Sequence, residues 1–153
     1  MGRIAEGEKA PDFSLMSQDG RMVTLREFQG RKNVILYFYP KDFTMGCTTE
    51  AKTFGVNYDR LLEMGVEIVG VSSDTSESHR SFGEKCGVKF PLLSDEGGKV
   101  RSLYGVKASF GIVPGRVTFV IDKAGVVRRV VSSQTNPRRH VTEALEVLQT
   151  MQG

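Results

Sequence analysis

The chain is 153 residues long, carries a net charge of +3 and has only two cysteines. That length suits a single domain over residues 1–153 with a full apolar core, and two cysteines cannot build a disulfide framework. Pro137-Arg138-Arg139-His140 is too short a basic run for nucleic acid and reads as a solvated helix start. No apolar run nears membrane-spanning length, no secretory h-region is visible, and Glu6 breaks the myristoylation pattern, so the expected compartment is the cytoplasm, where thiols are normally reduced.

The elements follow in chain order. "DFSLMSQDGRMVTL" predicts a hairpin, because alternating apolar residues flank Asp19-Gly20. Thr24 and Glu27 fit a capping box opening a short helix that Gly30 ends. "NVILYFYP" is nearly all apolar, the pattern of a strand buried on both faces, and Pro40 ends it. From Thr48 to Met64, Ala51, Phe54, Tyr58, Leu61 and Leu62 recur at steps of three and four, which predicts an amphipathic helix closed by Gly65. "VEIVGVSSD" is a second buried strand, so the unit is a right-handed parallel crossover. A helix over about 76–85 precedes Gly87. "FPLLSD" leads to Asp95, a cap for a helix ending near Tyr104-Gly105. "RVTFVID" and "VVRRVVS" form a hairpin about Lys123-Ala124-Gly125. Pro137 opens a last helix with Val141, Ala144, Leu145, Val147, Leu148 and Met151 as its apolar residues. This order predicts an α/β, thioredoxin-like fold: a mixed central sheet with helices on both faces and an N-terminal hairpin extension.

Cys47 falls at the C-terminal end of a buried strand and the mouth of the next helix. Functional groups in α/β sheets gather at that edge. Free backbone N–H groups and the helix dipole there favour thiolate over thiol, and the thiolate is the nucleophile. Thr44, three residues earlier, can set its hydroxyl beside the sulfur or cap the helix. A small apolar cysteine packed at a helix start is the competing interpretation.

The wider stretch "PKDFTMGC" sets Pro40, Thr44 and Cys47 in a spacing that resembles the peroxidatic-site motif of the peroxiredoxins. "YFYPKD", "GCTTEA", "GVSSD", "FPLLSD" and "VTFVID" are similar, in order, to the bacterioferritin-comigratory, or Q-type, subfamily. The resemblance implies that Cys47 attacks a peroxide oxygen and becomes a sulfenic acid. It implies that Thr44 and the backbone amides of Gly46 and Cys47 donate to the peroxide, and that Pro40 shapes the turn and shields the sulfur. It also implies an arginine at the start of a later strand, which "PGRVTFVID" supplies as Arg116; taken alone, that residue would be a surface arginine. Glu50 matches a family glutamate, and either binds Arg116 or is simply an acidic residue of the helix's first turn.

Three departures stand out. Met45 replaces the usual proline. Lys52 occupies the position where many Q-type members carry a resolving cysteine, and Gly55 replaces an arginine. Cys86 is then the remaining candidate for a resolving cysteine; it is equally a core residue on the stripe of Phe82. His79 and His140 read as ordinary surface or boundary residues, and no zinc pattern, phosphate loop or dinucleotide fingerprint occurs, so no metal or cofactor is expected. The expected activity is a peroxidase for hydrogen peroxide and organic hydroperoxides, with thioredoxin or a similar thiol as reductant, in a monomer or weak homodimer. The alternatives are a peroxide sensor that relays oxidation from Cys47 to a partner thiol and a binding module without chemistry. The absence of Cys-x-x-Cys argues against a disulfide reductase.

Overall fold

The computed structural model describes residues 3–106, 116–132 and 136–152. Seven strands form one mixed sheet in the order β2-β1-β5-β4-β3-β6-β7. They are β1 (Ser14–Ser17), β2 (Met22–Thr24), β3 (Asn33–Phe38), β4 (Val66–Ser72), β5 (Leu92–Ser94), β6 (Val117–Ile121) and β7 (Val127–Ser132). The helices are α1 (Met45–Glu63), α2 (Ser76–Cys86), α3 (Lys99–Leu103) and α4 (Pro137–Gln152). β3, β4 and β5 run parallel, while β6 lies antiparallel to β3, as a thioredoxin-like sheet requires.

Every residue of β3 and β4 is buried, in line with their unbroken apolar runs. The period-two alternation of β3 divides two cores. Ile35, Tyr37 and Tyr39 join the residues of α1, α2 and α4 on one face. Val34, Leu36 and Phe38 meet Phe13, Val100, Tyr104 and Phe119 on the other.

Three expectations change. The segment "FPLLSD" holds a short strand, β5, paired to β4 on one side and to β1 on the other. α1 begins at Met45, three residues before the expected start at Thr48, so Cys47 lies within its first turn. Thr24 does not cap the turn that follows it, a 3₁₀ turn over Leu25–Phe28. Its hydroxyl pairs across the hairpin with Ser14, and the Asp12 carboxylate accepts from the Arg26 amide instead. Asp95 does cap α3, with its two oxygens accepting from the Val100 and Arg101 amides.

Candidate active site

Two periodicities build the site. On α1, Cys47, Glu50, Ala51 and Phe54 share the face turned to the sheet, so a thiol and a carboxylate one turn apart are both driven inward. On β6, Thr118 and Val120 point to that same helical face, and Arg116, two residues before Thr118, continues the alternation. Arg116 therefore arrives under the N-terminus of α1 although it lies 69 residues beyond Cys47.

All three groups are buried. Arg116 Nη1 donates to Glu50 Oε1 at 2.6 Å, and Nη2 donates to Cys47 Sγ at 3.3 Å. The guanidinium thus bridges thiol and carboxylate through the fixed fork that only arginine offers. Gly46 leaves the space: a Cβ there would stand 2.9 Å from Arg116 Nη2. The first intrahelical bond runs from the Thr48 amide to the Thr44 carbonyl, so the amides of Gly46 and Cys47 fall among the unladdered donors at the helix start. Burial pushes Glu50 upward, to about 8, and the neighbouring Arg116 charge only partly pulls it back. Burial works against the charge on Arg116 too, but Glu50 and Cys47 outweigh it and raise its pKa. Arg116 thus faces both the Cys47 sulfur and the Glu50 carboxylate.

Thr44 and Pro40 stand at the rim. Thr44 is exposed, and its hydroxyl donates to the Lys41 carbonyl at 3.1 Å rather than capping α1. Pro40 is half-buried at the end of β3. Met45, where the family usually has proline, is 86% exposed. Phe43 holds φ at 68°, strained for a bulky side chain. Its ring packs edge-on to Phe82, with the Lys85 ammonium over it.

Cys86 is half-buried at the end of α2, against the core layer that contains Cys47. Burial pushes its thiol up. Lys52 and a hydrogen bond with Thr48, the residue after Cys47, pull it back.

Both histidines are fully buried, contrary to the surface or boundary reading. His79 Nε2 lies 2.9 Å from the Leu93 carbonyl and must donate to it; Nδ1 lies 2.7 Å from Asp42 Oδ2. A proton therefore sits between Asp42 and His79. Asp42 also accepts from Tyr39 and Ser78, and its amide donates to Asp74. This cluster fastens the turn between β3 and α1 to α2. His140, from α4, meets Thr118 at 2.8 Å and faces Glu50 at 3.8 Å. Arg101 was also unforeseen. It is buried, donates to the Tyr39 carbonyl at 2.9 Å and lies within the field of Cys47.

A thiol and an arginine brought together at a helix mouth of a thioredoxin-like sheet define a class, the thiol-dependent peroxidases. Comparison with known proteins agrees. The family model described as AhpC/TSA matches residues 6–130. A chloroplastic peroxiredoxin Q of Oryza sativa subsp. japonica is 46% identical over 151 residues, 98% of this chain and 69% of that protein. The chloroplastic peroxiredoxin Q of Sedum lineare is 46% identical over 150 residues, 97% of this chain and 80% of that protein. Among solved structures, peroxidoxin BcpB from Mycobacterium tuberculosis has a TM-score of 0.89 at 34% identity, over 97% of this chain and 98% of that one. A Xanthomonas campestris bacterioferritin comigratory protein, solved in work on its alkyl peroxide reduction activity, has a TM-score of 0.84 at 30% identity, over 92% of each chain. The chain belongs to the AhpC/TSA family, within its Q-type peroxiredoxins, and is a peroxidase that draws on a thiol reductant.

Proposed function

We propose that the protein reduces hydrogen peroxide and organic hydroperoxides through a sulfenic acid on Cys47. The observation that carries this is Arg116, which donates to Cys47 Sγ at 3.3 Å while Glu50 anchors its other nitrogen. The thiolate attacks the terminal peroxide oxygen and the O–O bond breaks. The leaving oxygen takes a proton and departs as water or an alcohol. Arg116 and the amides of Gly46 and Cys47 serve the charge that develops on the oxygens. Thr44 joins them by rotating its hydroxyl away from Lys41. Pro40 limits the approach of water. The apolar rim of Phe43 and Met45 suits an organic hydroperoxide, in keeping with the alkyl peroxide activity named for the Xanthomonas relative.

Resolution falls to Cys86. Its thiolate attacks the sulfenic sulfur, releases hydroxide that is protonated to water, and leaves a disulfide for a thioredoxin-type dithiol to reduce. Both segments must open first, because bonded cysteines need Cα atoms within about 7 Å and a defined geometry. One observation favours a second reading, a relay to a partner thiol: the Cys86 thiol is half-buried and held in its unreactive form by burial. The reading takes the protein as a cytoplasmic monomer or weak homodimer. The two free cysteines suit a reducing compartment.

Peroxide consumption with and without thioredoxin and its reductase tests the whole. Wild type should turn over, and Cys47→Ser should not. Cys86→Ser should lose thioredoxin-linked turnover while still forming a sulfenic acid; full turnover in that variant would remove Cys86 from the cycle. Absence of consumption by wild type under every condition would overturn the peroxidase chemistry assigned to Cys47.

A further inference from the structure

The charges around Arg116 do not close without a further group. Its single positive charge faces two buried acids, Cys47 and Glu50. Ionising both would strand a net negative charge in the core, so one proton stays with the set. Glu50 Oε1 is taken by Arg116, while Oε2 is buried and makes no hydrogen bond. Among the described residues, the base that faces that oxygen is His140 Nδ1, at 3.8 Å. Thr118, on the strand that delivers Arg116, holds the same nitrogen at 2.8 Å.

We propose that His140 is a positioning residue of the peroxidase site, which shares one proton with Glu50 Oε2 so that the charge of Arg116 is left to the Cys47 thiolate. The inference rests on the peroxidase reading above. Whether the proton sits on Oε2 or on Nδ1, the Glu50–His140 pair is neutral. Arg116 and the thiolate then neutralise each other, and the buried set carries no net charge. Closing the gap takes less than an ångström of imidazole movement. Nδ1 has one hydrogen-bonding position, so the Thr118 hydroxyl, which donates to a bare Nδ1 or accepts from a protonated one, yields it when the imidazole turns to Oε2. Without His140, Glu50 and Cys47 compete for the same proton, and every molecule that keeps it on sulfur is inert towards peroxide. Burial already drives the proton towards Glu50; the imidazole adds a partner for it there.

His140 faces Glu50 of α1 and meets Thr118 of β6. Tyr37 of β3, buried in the field of Glu50, makes no hydrogen bond from its hydroxyl and is raised far from neutrality by burial, and Arg101, the other buried cation in the field of Cys47, is countered by Asp95. Of the charged residues of β7 and α4, Arg129 and Arg139 pair with Glu143, and Arg128 pairs with Asp122, at the surface.

The test is the pH profile of Cys47 alkylation by iodoacetamide, in a Cys86→Ser background so that one thiol reports. His140→Phe should move the midpoint of the profile up by about one pH unit, a tenfold loss of thiolate below it. Thr118→Val, which keeps the shape of the strand residue, should shift it in the same direction by less. In a Glu50→Gln background His140→Phe should shift nothing, because the shared proton is gone. A folded His140→Phe protein with an unmoved midpoint overturns the proposal, as does an equal shift with and without Glu50. Should His140→Phe fail to fold, an unmoved midpoint in Thr118→Val does the same. Alkylation uses no peroxide, so failure of the peroxidase reading would appear separately, as an unreactive wild type in the consumption assay.

Discussion

Replacing Arg116 by lysine keeps the positive charge and removes the fork. The guanidinium reaches Glu50 at 2.6 Å and Cys47 at 3.3 Å with two different nitrogens. A single ammonium has no second arm, and the carboxylate is the closer and harder partner. Arg116→Lys should therefore leave Cys47 without its donor while leaving Glu50 satisfied. A charge-assisted hydrogen bond contributes about 1.5–3 kcal/mol. At about 1.4 kcal/mol per tenfold, the second-order rate with peroxide should fall by about 10- to 150-fold. Arg116→Met should fall further, since it removes the charge as well. Breaking a buried pair ordinarily costs about 3–5 kcal/mol of stability. Here Glu50, already pushed towards its protonated form by burial, can take up a proton, so the loss should be at the low end of that range. The chain has no tryptophan, so the rate is best read by competition with a haem peroxidase of known rate, with urea unfolding measured alongside. Arg116→Lys within twofold of wild type would refute the reasoning, as would Arg116→Met reacting as fast as Arg116→Lys.

Three further outcomes are expected. Gly46→Ala puts a methyl group 2.9 Å from Arg116 Nη2 and should slow peroxide reduction at least tenfold, with little change in unfolding midpoint, since a helix start accepts alanine; a rate loss matched by a stability loss would speak against it. Because the folded-state pKa of Glu50 is raised, its contribution to stability is complete below about pH 4.5 and is lost as pH rises through about 8. Glu50→Gln should therefore gain stability relative to wild type across that window in urea titrations, and a constant difference would be the contrary result. Asp42→Asn breaks a carboxylate that serves Tyr39, Ser78 and His79. It should cost about 1–3 kcal/mol and speed hydrogen exchange of the Phe43 and Thr44 amides, which would stay protected if the cluster did not hold the turn.

The parts of the site that follow from short-range pattern were legible. Cys47 and Glu50 sit at a helical spacing, and Pro40 marks the end of a buried strand. The meeting of Arg116 with them was only implied by resemblance, because a contact across 69 residues depends on β6 lying beside β3. The histidines were misread although a signal existed. Extending the stripe of Leu148 and Ala144 back by four reaches His140, and extending that of Cys86 and Phe82 back reaches His79. Polar residues on a buried stripe mark a hydrogen-bonded core position, here filled by Thr118 and Asp42. β5 was missed because three residues carry too little period to declare a strand; its pairing on both sides makes it one. Arg101 left no trace in local pattern, since the carbonyl it serves belongs to Tyr39, just past β3 and 62 residues earlier.

The distance between Cys47 and Arg116 along the chain also matters while the protein is being made. The nucleophile leaves the ribosome 69 residues before the cation that faces it. Until β6 has been synthesised and docked against β3, Cys47 lacks the guanidinium that donates to its sulfur. If Arg116 activates Cys47 as proposed, peroxide reactivity is switched on by the completion of the sheet. Under the proposed mechanism, a nascent or half-folded chain is spared oxidation at the residue that each cycle would oxidise.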